Sequence, residues 1–210
     1  MTTPIALVFG LVAHANGAFS VVESRSEFGA VLAGAPSTIE GWDEFASGTI
    51  IPNGALVNGV VYHLDDPTAG FIVTSGGADV SSPNGLGRTN NPFGSEAFIP
   101  GDIIVFAFST PISAFGVSFN TASLSPAAYS LTTNFGDTAF SALDPFPGLA
   151  TGQFGGFISS ERVTNVTIRS LVPFQFGLDD MIFVTPLPEP PIVALLGLGL
   201  VGLLASRRST

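Results

Sequence analysis

A chain of 210 residues with a formal charge of −10, no cysteine and no lysine is acidic and rich in apolar residues, which make up 46% of it. Such a surface repels phosphate backbones and anionic headgroups, which excludes nucleic-acid binding. Without cysteine there is no disulfide framework, so packing of the 19 phenylalanines has to supply stability.

The chain opens with a short apolar run, Ile5 to Val12, followed by Ala13-His14-Ala15-Asn16-Gly17-Ala18. Small residues at alternate positions after a run too short to span a bilayer predict a signal peptide over residues 1–17, cleaved by signal peptidase after Ala15 or Gly17. No Lys or Arg precedes Ile5, so the usual positive start of such a signal is missing. Next, Ser24 to Leu32 predicts the one soluble helix: a serine able to cap, Glu27 in the first turn, and Phe28, Val31 and Leu32 on one face, stopping by Gly34 or Pro36.

Beyond that the pattern is strand and turn. Phe71-Ile72-Val73, Ile103 to Phe108 and Ala114 to Phe119 are apolar runs bounded by Gly, Pro and Asn. In the third, Phe115, Val117 and Phe119 share a face opposite Gly116 and Ser118. Val166 and Ile168 alternate with Asn165, Thr167 and Arg169. Phe174, Phe176, Leu178 and Ile182 keep period two through Asp180, with Phe183 opposite. Turns are expected at Pro52-Asn53-Gly54, Pro83 to Gly94, Pro111 and Pro145 to Gly156, and the glycine pairs Gly76-Gly77 and Gly155-Gly156 read as turns. Many short strands with Gly/Pro turns predict an all-β domain, an antiparallel sandwich of jelly-roll type, over residues 18–186.

The chemistry these residues support is limited. Once a signal is removed, His63 is the only histidine, and no Gly-x-Ser-x-Gly is present, which argues against a Ser-His-Asp triad. One histidine without cysteine does not make a zinc site, and a Walker loop needs a lysine. Carboxylates are the plentiful groups. Asp65-Asp66 precedes Pro67 in an expected loop, and Asp179-Asp180 interrupts an apolar strand. Neighbours on a strand point to opposite faces, so the second pair is no two-carboxylate claw. If Leu178 points inward, Asp180 does too, and a buried carboxylate needs a partner. A calcium ion bridging the first and last strands would supply one; otherwise the pair caps a bulge, bonds backbone amides or faces solvent. No spacing selects an acid/base pair of the glycosidase kind. Trp42, Tyr62 and Tyr129 lie in or near strands and are expected in the core rather than stacked on sugar rings.

The C-terminus reads PLPEPPIVALLGLGLVGLLASRRST. The uncharged run Ile192 to Ala205 is 14 residues long, about 21 Å as a helix, short of the roughly 30 Å of a hydrocarbon core. Arg207 and Arg208 orient it with their charges on the cytoplasmic side. Pro188-Glu189-Pro190, the Leu/Gly-rich helix and the arginine pair, in that order, resemble the PEP-CTERM sorting signal of Gram-negative bacteria that make exopolysaccharide. The resemblance covers residues 187–210. It implies a single C-terminal hydrophobic helix, transient anchoring in the cytoplasmic membrane, removal of the tail by an exosortase, and delivery to the cell surface or extracellular matrix.

The domain also resembles the ectodomains found before such tails, in Ser26-Glu27-Phe28, Thr38 to Trp42, Gly48-Thr49-Ile50, Val57 to Tyr62 and Pro111 to Val117. Its ending, Gly177-Leu178-Asp179-Asp180-Met181-Ile182-Phe183, is similar to the last strand of jelly-roll carbohydrate-binding modules. By that analogy Glu40 would join Asp179 and Asp180 around a structural calcium. The function expected is a non-catalytic, structural or adhesive role in an exopolysaccharide or biofilm matrix. The alternative is a carbohydrate-binding module for surface polysaccharide, ahead of a glycoside hydrolase.

Overall fold

The computed structural model describes residues 19–32, 35–75, 83–121, 129–140, 142–143, 153–171 and 175–186. The expected signal peptide, Gly34, Gly76-Gly77, Phe174 and the whole tail, with Pro188, Glu189, Pro190, Arg207 and Arg208, lie outside them.

Among the described residues the chain is all-β with one short helix. The elements are β1 (Phe19–Val22), α1 (Arg25–Val31), β2 (Thr38–Glu40), β3 (Ile50–Ile51), β4 (Leu56–Val57), β5 (Val60–Leu64), β6 (Phe71–Thr74), β7 (Gly85–Arg88), β8 (Ile103–Thr121), β9 (Tyr129–Thr133), β10 (Thr138–Phe140), β11 (Ala142–Leu143), β12 (Gln153–Ser170) and β13 (Phe176–Val184). Every pairing is antiparallel, in the order β10-β9-β12-β8-β13-β7-β6-β3, with β1 and β11 on β12, β2 on β13, and the β4–β5 hairpin on β8.

Two long strands form the spine. β8 pairs with β12 along most of its length, while its other edge takes β5 at Val60–Leu64 and then β13 at Phe176–Val184. β12 likewise takes β11 and β1 near its start and β9 near its end. The partners change where the register slips between Ile158 and Asn165, opposite Ile112 and Ala107. Pro111, expected to make a turn, lies inside β8 at this irregularity, where a residue without an N–H breaks no regular ladder bond. Two other turn expectations need correcting. Gly85–Arg88 is a strand within the Pro83–Gly94 stretch. Gly155-Gly156 belongs to β12, with Gly156 directly opposite Gly116.

That glycine pair has a packing cause. A Cβ on Gly116 would lie 2.4 Å from Phe154 Cζ, and one on Gly156 2.9 Å from Phe154 Cε1 and 3.2 Å from Phe28 Cδ2. The two glycines leave a floor for the Phe28 and Phe154 rings, whose centroids are 5.4 Å apart. Phe28 is the buried anchor of α1, and the Ser24 hydroxyl accepts from the Glu27 amide at 3.2 Å as the cap. Leu32 packs on this cluster too, but Val31, expected beside it, is exposed. Val22, Ala114, Ile182 and Val184 complete this small core.

The opposite face carries the main core, an aromatic network. Tyr62 meets Phe71 and Phe106 edge-on, Phe106 leads through Phe115 to Phe157, and Phe98 leads through Phe176 and Tyr129 to Phe119. Phe115, Val117 and Phe119 point into it, as their alternation predicts.

Candidate functional site

The last strand does not keep period two through Asp180. Asp179 pairs with Ser118 but Ile182 with Gly116, so one extra residue is inserted, and Asp180 has φ of 47°. The bulge flips the faces: Leu178 belongs to the main core, but so do Met181 and Phe183, while Ile182 turns to the α1 side. Asp180 follows that flip and forms an ion pair with Arg25 of α1. The buried Asp179 carboxylate accepts from the Asp180 amide at 2.7 Å. Aspartate is among the non-glycine residues that enter the left-handed region most readily, and the neighbouring Asp179 carboxylate holds the Asp180 amide in that conformation.

Glu40 lies directly across from Met181, and so shares that residue's side rather than Asp180's. Its Oε2 accepts from Asn58 Nδ2 at 2.7 Å, and the same amide donates to Glu44 at 2.9 Å. Burial first, then the Glu44 charge, pushes the Glu40 carboxyl above its ordinary range, against the pull of Asn58. Glu40, Asp179 and Asp180 are therefore neighbours in the ladder without converging. No group of three His, Cys, Asp or Glu is gathered as for a metal among the described residues. A cation at Asp180 would have to displace the Arg25 guanidinium.

The other acidic pair is structural. Asp65 accepts from the Ile103 amide at 2.9 Å. Asp66 accepts from the Thr68 amide and hydroxyl at 2.9 and 2.7 Å, and from Arg88 at 2.6 Å. The Thr68 bonds, then Arg88, pull its carboxyl down to about 2. Arg88 is buried and also holds Asp102 at 2.5 Å. Burial pushes the Asp102 carboxyl upward, opposed by the Ile99 amide and by Arg88.

Trp42, Tyr62 and Tyr129 are fully buried, and Trp42 Nε1 donates to the Tyr62 hydroxyl at 3.1 Å. None of them offers a sugar-stacking platform.

An open groove does exist, on the outer face of β10, β9 and β12, about 440 Å³ in volume. Register arranges its side chains in two rows across the three strands. Thr138, Thr132 and Thr167 form one row, and Phe140, Ser130 and Arg169 the other. Thr132 and Thr138 bond each other at 3.1 Å, Phe140 is 54% exposed, and Leu171 flanks the second row. The opposite face of the same strands, with Leu131, Ala139, Val166 and Ile168, is core. The alternation of Thr167 and Arg169 with Val166 and Ile168 is visible in the sequence. Their meeting with Thr132, Thr138 and Phe140 depends on the hairpin through Gly136, whose φ of 88° and amide bond to the Thr133 carbonyl close the turn. The segment Tyr129 to Phe140, with Asn134 and Gly136 between Tyr129-Ser130-Leu131-Thr132-Thr133 and Thr138-Ala139-Phe140, carries that hairpin signal.

No model of a known protein family matches the chain, and no curated protein matches it significantly.

Proposed function

We propose that this is an exported, non-catalytic β protein with a structural or adhesive role in an exopolysaccharide matrix, released or attached after an exosortase removes its tail. The observation that carries the reading is the ordered tail itself, Pro188-Glu189-Pro190, an uncharged run and Arg207-Arg208. The described fold is compatible with processing at both ends. β1 begins at Phe19, beyond Ala15 and Gly17, and β13 ends at Val184, four residues before Pro188. Cleavage at either place leaves every described strand intact. Within this reading the strands form a two-layer sandwich of jelly-roll type, with β8 and β12 passing from one layer to the other around the phenylalanine core.

The buried carboxylates support a structural rather than catalytic use of the acids. Asp102 and Asp180 are held by arginines and Asp179 by a backbone amide. Calcium is not needed to neutralise Asp180 while Arg25 is there. The second reading, carbohydrate binding, is favoured by the β10–β9–β12 groove, whose open face carries hydroxyls and a phenyl ring. Mass spectrometry of the protein isolated from its native host tests the first reading. The expected species starts after Ala15 or Gly17 and lacks the residues beyond the Pro188 region. A full-length mass carrying the Arg207-Arg208 end would overturn it.

A further inference from the structure

We infer that the groove on β10, β9 and β12 binds a carboxylate-bearing sugar of an acidic polysaccharide, with Arg169 as the anion-binding group and Phe140 as the ring platform. The site is argued from the groove; the matrix reading supplies only the source of the glycan. Arg169 stands apart among the arginines of the described residues. Arg25 is paired with Asp180, Arg88 with Asp66 and Asp102, and Arg162 is also engaged, whereas Arg169 is exposed and, its backbone ladder pairings apart, its guanidinium makes no hydrogen bond or ion pair with another described residue. On a chain with net charge −10, a guanidinium left without a carboxylate offers charge complementarity to an external one. Its planar fork matches a carboxylate with two parallel bonds.

The surroundings select a sugar as the bearer of that carboxylate. Ser130, Thr132, Thr138 and Thr167 each donate and accept, as sugar hydroxyls do. Phe140 stands in the same cross-strand row as Arg169, two strands away, or about 9–10 Å at the usual strand spacing. The phenyl face and the cation thus bracket a hydroxyl-lined floor, and the volume falls within the range of small-ligand sites. An added peptide strand would use the edge of β10 rather than its face. One carboxylate on Arg169, a sugar ring on Phe140 and the hydroxyls suffice for a single sugar unit, whereas nucleic-acid affinity comes from many phosphate contacts, for which the described lining holds one cation. The acidic remainder of the surface is screened beyond about 8 Å at physiological salt.

The test is affinity electrophoresis of the full chain through gels containing polygalacturonate, with dextran as the neutral polymer. Wild type is expected to be retarded by polygalacturonate and not by dextran, less so as salt is raised. Arg169→Gln weakens retardation by about tenfold or more, as for loss of a charged hydrogen-bonding group. Arg169→Lys is intermediate, Phe140→Ala weakens binding as well, and Arg162→Gln, the same charge change elsewhere, is neutral. Unchanged melting temperatures verify that the variants fold. No retardation of wild type, equal retardation by dextran, or equal losses in Arg169→Gln and Arg162→Gln would overturn the site. Failure of the two readings is separable in cells. If Arg169→Gln stays in the exopolysaccharide fraction like wild type, the matrix reading stands and the site falls. If wild type binds polygalacturonate but is absent from that fraction, the site stands and the matrix reading falls.

Discussion

Replacing Arg88 by methionine removes a buried cation while keeping most of the side-chain volume. Arg88 is 2% exposed and its two terminal nitrogens serve Asp102 at 2.5 Å and Asp66 at 2.6 Å. Asp66 is open to solvent and keeps its Thr68 bonds, so its loss is small. Asp102 is buried, and without Arg88 its carboxylate retains only the Ile99 amide, at 2.8 Å. Breaking a buried pair by removing one partner costs about 3–5 kcal/mol, or roughly 6–20 °C in Tm for a domain of this size. The double variant Arg88→Met/Asp102→Asn removes the stranded charge while keeping an acceptor for Ile99. It should recover at least about half of the loss. Urea unfolding at pH 7 of wild type, the two single variants and the double variant closes the cycle. Acid adds a second check. Asp102 has a raised folded-state pKa, so its protonated form favours folding, and the single variant should regain stability relative to wild type as pH falls from 7. A loss below about 1 kcal/mol in Arg88→Met, or a double variant as unstable as the single, would refute the view that the stranded Asp102 charge is what costs.

Glu40 gives a pH prediction of the same sign. Its folded-state pKa is raised from 4.5, so its stabilising contribution is complete below that value and is lost as pH rises through the folded pKa. Glu40→Gln should flatten the decline in stability as pH rises above 4.5, measured by urea titration; an unchanged slope would exclude Glu40 as its source. Gly116→Ala places a methyl 2.4 Å from Phe154 Cζ and should cost about 1–3 kcal/mol, with partial rescue by Phe154→Leu in thermal melts. Asp180→Asn keeps a residue that tolerates positive φ but loses the charge, and with Arg25 partly exposed the loss should be about 1 kcal/mol or less. Asp180→Val adds backbone strain at that φ and should lose clearly more in the same melts.

Much of the fold is legible because alternation and capping are local. Ser24 caps α1 through its own hydroxyl, and Phe115, Val117 and Phe119 face the core because strand side chains alternate. The misreadings share one origin. Gly155-Gly156 looks like a turn until Phe154 and Phe28 are seen to occupy the space above Gly116 and Gly156, and Pro111 looks like a strand end until β8 is seen to slip register there. Asp180 looks inward-facing by counting, because the inserted residue in the bulge is invisible in the count.

Composition, charge and the two ends of the chain belong to the sequence alone: an acidic, cysteine-free, lysine-free protein whose terminal segments resemble export and sorting signals. These are properties of single residues and short runs, and need no partner across space. The pairing of Arg25 with Asp180, the burial of Arg88 between two acids, and the groove that sets Phe140 and Arg169 in one row were decided only by the tertiary structure. Each joins residues from different strands or from a strand and a helix. Which of them meet is set by ladder register and by a one-residue bulge, and register is fixed by the packing of the whole phenylalanine core.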